Sequence, residues 1–106
     1  ERGGPNHVAN FCFAPIHADT KTGELIYTPT YYYIGHFSKF IKPGALRVST
    51  SASRSTIEST SFINKDGKIV TVVMNTTDQK INYKLVVGNN ETQLEIEPRA
   101  MQSLIY

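Results

Sequence analysis

The sequence predicts a mainly β chain in which a C-terminal β-sandwich of roughly six or seven antiparallel strands follows a shorter segment ending in one helix. Three observations carry this expectation. Near residue 45 the composition changes, from a Gly-rich start and an aromatic block to almost uninterrupted strand-like runs. Asp66-Gly67 stands between two runs rich in β-branched residues, which marks a hairpin. The 28–44 block, TPTYYYIGHFSKFIKPG, carries helix start and stop signals at its two ends.

Taken in order, the chain opens on Gly3-Gly4-Pro5-Asn6, continues through a short apolar stretch at 11–16, and turns at Thr20-Lys21-Thr22-Gly23. In the aromatic block Thr28 suits an N-cap, Pro29 suits the first helical turn, and Pro43-Gly44 supplies the stop. Tyr33, Phe37, Phe40 and Ile41 recur at spacings of three and four, so they lie along one helix face that Ile34 widens. Nothing before the helix is long enough to cover so large an apolar stripe, and the expectation is therefore a piece of a larger protein. Tyr31, Tyr32 and Tyr33 do not make a flat carbohydrate-stacking platform, because consecutive helical residues point about 100° apart. Packing is their expected role, and His36 and Lys39 are expected at the polar edge of the helix or in partner contacts.

After residue 45 almost everything reads as strand. A run at 46–53 opens the region, and 57–63 and 69–74 form the arms of the Asp-Gly hairpin. The second arm, Ile69-Val70-Thr71-Val72-Val73-Met74, is nearly continuous in apolar character and is expected to be a central strand covered on both faces. Ile81, Tyr83, Leu85 and Val87 alternate with Asn82, Lys84 and Val86, the period of a half-buried strand. A Gly88-Asn89-Asn90 turn, a strand holding Leu94 and Ile96, and a last strand at 101–106 complete the count. The Ser/Thr-rich 49–61 stretch reads as solvent-facing strand positions rather than low complexity.

The 106 residues suffice for one real core. The formal net charge of +2, with Lys and Arg scattered, argues against nucleic acid and against an anionic membrane surface. No apolar run approaches the roughly 20 residues of a membrane span. Cys12 is the only cysteine, which excludes an internal disulfide, and its apolar setting predicts an inert buried thiol. His7, His17 and His36 have no carboxylate or cysteine pattern around them, so no metal site is expected, and no cofactor is implied. Asn75-Thr76-Thr77 and Asn90-Glu91-Thr92 both fit the N-glycosylation acceptor. A start at Glu1 rather than Met leaves room for a removed targeting segment.

Three stretches carry a family resemblance. GGPNHVANFCFAPI, the following ADTKTGELIYTPTYYYIGHFSKFIKPGALRV, and the later KDGKIVTVVMN hairpin resemble the C-terminal portion of glycoside hydrolase family 30, the group of glucosylceramidase and endo-β-1,6-glucanase-like enzymes. The resemblance covers essentially the whole chain. It implies that residues 1–44 are the remnant of a (β/α)8 catalytic barrel, comprising an active-site loop, a short hairpin and the final helix. Residues 45–106 would be most of a β-sandwich that in this family takes strands from both ends of the polypeptide. It further implies a β-glucoside or β-glucan substrate, a retaining mechanism, and a secreted, periplasmic or lysosome-like compartment. Asn10, Phe11 and Cys12 would border the sugar, Asn10 hydrogen-bonding a hydroxyl and the other two walling the pocket; a loop asparagine satisfying backbone groups is the competing reading. His7 and Phe13 stand where relatives carry Trp and Asp.

Retaining hydrolysis uses two carboxylates about 5 Å apart, and the resemblance puts both on barrel strands preceding Glu1. Glu24, Glu58, Asp66, Asp78, Glu91, Glu95 and Glu97 are accordingly expected to be solvated surface charges rather than catalytic groups. The chain alone is expected to be inactive, and to self-associate or to need the remainder of its parent polypeptide. The alternative is a stand-alone, non-catalytic β-sandwich carbohydrate-binding module. Such a module needs no orphan helix and displays exposed aromatics, whereas beyond residue 45 only Phe62, Tyr83 and Tyr106 are aromatic.

Overall fold

The computed structural model describes residues 4, 6–8 and 12–106. The chain divides into two compact units, 1–35 and 36–106, and the one α-helix among the described residues contributes residues to both.

The first unit begins with a 3-10 turn at Asn6–Val8 and an isolated antiparallel bridge between Gly4 and Cys12. Strands β1 (Ile16–Ala18) and β2 (Leu25–Tyr27) then pair with Ile16 opposite Tyr27. The Thr-Lys-Thr-Gly stretch turns between them as expected: Gly23 adopts a φ of 76°, its N–H donates to Asp19 O, and the Asp19 carboxylate accepts the Lys21 N–H at 2.8 Å. Helix α1 spans Pro29–Ser38. Thr28 does not cap it with its side chain. The Thr28 hydroxyl and N–H both donate to Pro15 O at 3.0 Å, closing the β1–β2 ladder, and only the Thr28 carbonyl serves the helix, accepting from Tyr31 N–H. No helix residue is fully buried; Tyr33, Ile34 and Phe37 stay exposed, as a stripe in excess of its cover should. The Tyr31 and Tyr32 rings stand 84° apart, so the tyrosines form no common plane.

The helix ends four residues before the Pro43-Gly44 stop because another element takes its backbone groups. Asn64 Nδ2 donates to Phe40 O at 3.0 Å, and Asn64 Oδ1 accepts Lys42 N–H at 2.9 Å. Gly44, at φ 85°, completes the exit.

In the second unit β3 (Leu46–Val48), β4 (Ile57–Ile63), β5 (Ile69–Asn75) and β8 (Met101–Ile105) form one antiparallel sheet in the order β3-β4-β5-β8, while β6 (Ile81–Val87) and β7 (Asn90–Ile96) form a separate antiparallel pair. The result is mainly β. As expected, β5 is central and the most deeply buried strand, with Val70, Val72 and Val73 inside. The register sets its two faces. Val73, Thr71 and Ile69 share one face with Ser59 and Ser61, and Val70, Val72 and Met74 share the other with Ser103. On that second face Ser103 bonds the His36 ring at 2.9 Å, so the end of α1 meets the sheet there.

The strand expected at 46–53 is three residues long. Residues 49–56 form a loop instead, because small hydroxyl side chains favour local bonds over a ladder and the chain must reverse to begin β4. The Ser/Thr stretch is likewise not uniformly solvent-facing, since Ser61 is buried. The β4–β5 turn has Gly67 at φ 84° with its N–H donating to Asn64 O. In the β6–β7 hairpin Val87 lies opposite Asn90, so Gly88-Asn89 is a two-residue turn with Gly88 at φ 59° and Asn90 already belongs to a strand.

Candidate functional site

Two places in the chain could meet a ligand. The first is the loop before β1. Gly4 N–H donates to Cys12 O at 3.1 Å, pinching the loop at its base. Asn10 and Phe11 lie outside the described residues. Cys12 is described and is exposed, not the buried thiol the sequence suggested. Its unit consists of elements too short to enclose anything, and none of residues 12–35 is fully buried.

Beside Cys12 the structure brings together a pair that residue spacing did not single out. Phe13, 78% exposed, tilts against His17 with ring centroids 4.7 Å apart. His17 sits on β1 with its Nε2 buried and without a hydrogen-bond partner. An exposed aromatic face suits apolar or stacking contact with a ligand.

The second place is a cleft of about 1350 Å³ between the four-stranded sheet and the β6–β7 hairpin. Its walls include Ser59, Ser61 and Thr71 on the sheet and Tyr83 and Leu85 on the hairpin. The hydroxyls are not idle. Ser61 Oγ lies 2.7 Å from Thr71 Oγ1, which lies 2.8 Å from Tyr106 OH, forming a chain of three across β4, β5 and the C-terminus. At one side Tyr83 OH donates to Gln102 Oε1 at 2.9 Å and ties the hairpin to β8. Burial pushes the Tyr83 phenol above its ordinary pKa, which keeps it a donor. The lining offers hydroxyls and aliphatic surface with Arg54, Lys84 and Glu95, and Glu95 is the one acid among the described residues that line it.

The acidic side chains behave as surface charges. Glu24, Glu58, Asp66, Asp78, Glu91, Glu95 and Glu97 are all exposed. Lys80 contacts Glu95 at 2.9 Å and Glu97 at 2.8 Å, Lys84 contacts Glu91 at 3.0 Å, and Arg99 grips both oxygens of Asp78. Hydrogen bonding to the Arg99 guanidinium, with its charge, holds the Asp78 carboxyl below the usual range. Among the described residues no group of His, Cys, Asp and Glu is arranged to hold a metal ion, and no helix is long and apolar enough to cross a membrane.

With this geometry established, the comparisons with known proteins agree with one another. Residues 44–104 match the family model for the glycosyl hydrolase family 30 beta sandwich domain, and residues 1–41 match that for the family's TIM-barrel domain. The lysosomal acid glucosylceramidase of Mus musculus is 41% identical over 80 residues, covering 74% of this chain and 16% of that protein. Putative glucosylceramidase 2 of Caenorhabditis elegans is 40% identical over 110 residues, covering 97% of this chain and 21% of that protein. Among solved structures, SrfJ from Salmonella typhimurium superposes with a TM-score of 0.94 at 34% identity over 99% of this chain and 24% of its own. An endo-β1,6-glucanase superposes at 0.83 with 23% identity over 96% of this chain and 23% of its own, a likeness of fold. The chain thus spans between 14% and 21% of the length of the curated relatives it matches.

Proposed function

Because the chain belongs to glycosyl hydrolase family 30, we propose that it is the C-terminal part of a retaining β-glycosidase of the glucosylceramidase type, hydrolysing β-glucosidic bonds. Residues 1–44 are then the last loop, short hairpin and final helix of the catalytic barrel, and residues 45–106 are most of the β-sandwich that braces it. The observation supporting this reading is the juxtaposition of two family matches in one short chain, barrel over 1–41 and sandwich over 44–104, with relatives about five times as long.

Each part has a role in this reading. Loops that follow barrel strands converge on the active-site face, which puts the loop before β1 beside the glucosyl unit. Asn10 offers two donors and an acceptor to vicinal hydroxyls, Phe11 and Cys12 wall the sugar, and the Phe13–His17 pair adds an aromatic face on the aglycone side. The exposed stripe of α1 packs on barrel strands. The two catalytic carboxylates lie in the parent polypeptide outside this chain, since the acids described here other than Asp19 are exposed and many are held in surface ion pairs, while Asp19 is spent on the β1–β2 turn. The sandwich cleft receives further strands of the parent, because a two-stranded pair is an incomplete second layer. A secreted, periplasmic or lysosome-like compartment fits this class of substrate.

The test is turnover of an aryl β-glucoside. The purified 106-residue chain should give none, whereas the parent polypeptide should release the β-anomer first, as followed by NMR. In that parent Asn10→Ala should lower kcat/KM by roughly tenfold, the loss of one sugar hydrogen bond. Hydrolysis by the isolated chain, or inversion at the anomeric carbon by the parent, would overturn the reading.

A further inference from the structure

The chain holds two Asn-X-Thr triplets, and the fold treats them oppositely. Asn75, at the end of β5, is 1% exposed. Both protons of its amide are committed, Nδ2 donating to Gln79 O at 2.7 Å and to Glu97 O at 3.0 Å. Its Oδ1 accepts from the N–H and the hydroxyl of Thr77, the third member of its own triplet, at 2.9 and 2.8 Å. The side chain therefore locks two turns together from inside.

Asn90 is placed the other way. It is the first residue of β7, directly after the two-residue turn, and both Asn90 and Thr92 are exposed. Strand alternation puts their side chains on the same side of β7. In the turn, a Cβ added at Gly88 would meet nothing within 4 Å. By the same alternation they share that face with Leu94 and Ile96, at its end next to the turn, and neither Asn90 nor Thr92 is among the residues that line the cleft.

We propose that Asn90 is an N-linked glycan acceptor and Asn75 is not, for the chain entering a compartment that holds a lipid-pyrophosphate-linked oligosaccharide and its transferase. In the transfer, Asn90 Nδ2 forms a bond to the anomeric carbon of the oligosaccharide. The bond from that carbon to the pyrophosphate oxygen breaks, the lipid pyrophosphate leaves with the electron pair, and one Nδ2 proton passes to a base of the transferase. No oxidant or reductant is involved. The same step at Asn75 would remove a proton that bonds Gln79 O or Glu97 O and would set a sugar in a site with no room for it. A chain glycosylated there before folding could not close the 76–80 and 97–100 turns, so natively folded molecules carry Asn75 bare. This inference concerns the hairpin tip and does not depend on the activity of the parent enzyme.

The experiment is site mapping on the full chain, directed into the secretory pathway of a cultured insect or mammalian cell and recovered from the medium. Enzymatic release of N-glycans in heavy-oxygen water converts an occupied Asn to Asp carrying one heavy oxygen, which peptide mass spectrometry reads at each triplet without any variant. Label is expected at Asn90 and absent at Asn75. Thr92→Ala, which leaves Asn90 in place, should abolish the label and remove one oligosaccharide from the intact mass. Secreted, folded protein with Asn90 unmodified, or with label at Asn75, would overturn the proposal.

Discussion

At the scale of single residues, the buried polar groups carry more consequence than the apolar ones. Asn75 makes four hydrogen bonds within its own neighbourhood, and no smaller side chain can replace them. Asn75→Ala should lower unfolding stability by about 2–4 kcal/mol, because it removes four hydrogen bonds from a buried side chain and leaves their part-buried partners unpaired. Asn75→Asp should be worse, since it turns an acceptor toward two carbonyls that need donors; urea titration of the three proteins checks the order. Arg99 poses a different conflict. It is the one described non-glycine residue at positive φ, at 54°, yet its side chain holds Asp78. Arg99→Ala keeps the backbone strain and loses the ion pair, while Arg99→Gly loses both, so the Gly variant should be the more stable by about 1 kcal/mol. In either variant the Asp78 carboxyl should return upward toward its ordinary value of 3.8, as read by carbon NMR of the carboxyl group. The native contribution of that carboxylate is present above the ordinary value and is lost as the pH falls through the depressed one.

At the scale of elements, capping and termination depart from local sequence signals wherever a distant side chain competes. Thr28 has the chemistry of a helix cap but spends its hydroxyl on Pro15 O. Pro43-Gly44 has the chemistry of a helix stop, but the helix has already ended at Ser38, where Asn64 takes over the backbone groups that follow. The β6–β7 hairpin is closer to its local pattern, with the alternation as expected and a turn one residue shorter than expected, since Asn90 already pairs with Val87. Lys80 guards its open end. Hydrogen bonds to Glu97 and then Glu95 push its ammonium up from 10.5 to about 12. A raised pKa means that the contribution is complete below 10.5 and is lost as the pH rises through about 12. Lys80→Met should therefore reduce the loss of stability on going from pH 10 to pH 12, measured as the shift in thermal midpoint between those two conditions. An unchanged alkaline shift would show that the pair contributes nothing.

At the scale of the whole molecule, the four-stranded sheet ends at β3 on one side and β8 on the other, and among the described residues neither strand has a second partner. Open strand edges and exposed apolar side chains such as Leu46, Val86 and Tyr32 invite pairing with other chains. The isolated chain should sediment as species heavier than 11.8 kDa, with a proportion that grows with concentration. A stable monomer at high concentration would refute this.

Periodicity and turn chemistry determined most strands of the second unit by themselves, the 46–53 run excepted. The unbroken apolar run at Ile69–Asn75, the alternation at Ile81–Val87 and the glycines of the two hairpins specify local geometry, and local geometry is what short-range sequence can encode. The candidate sugar-binding loop was legible only through family likeness, because Asn10, Phe11 and Cys12 have no spacing that implies a sugar. Tertiary structure alone decided which polar residues are spent on the fold and which remain available. Two triplets of identical acceptor chemistry, at Asn75 and Asn90, end up one sealed and one open. Asn64 ends a helix more than twenty residues away. Each of these outcomes depends on a partner distant in sequence or on enclosure by other elements, and neither is written in the residue's own neighbourhood.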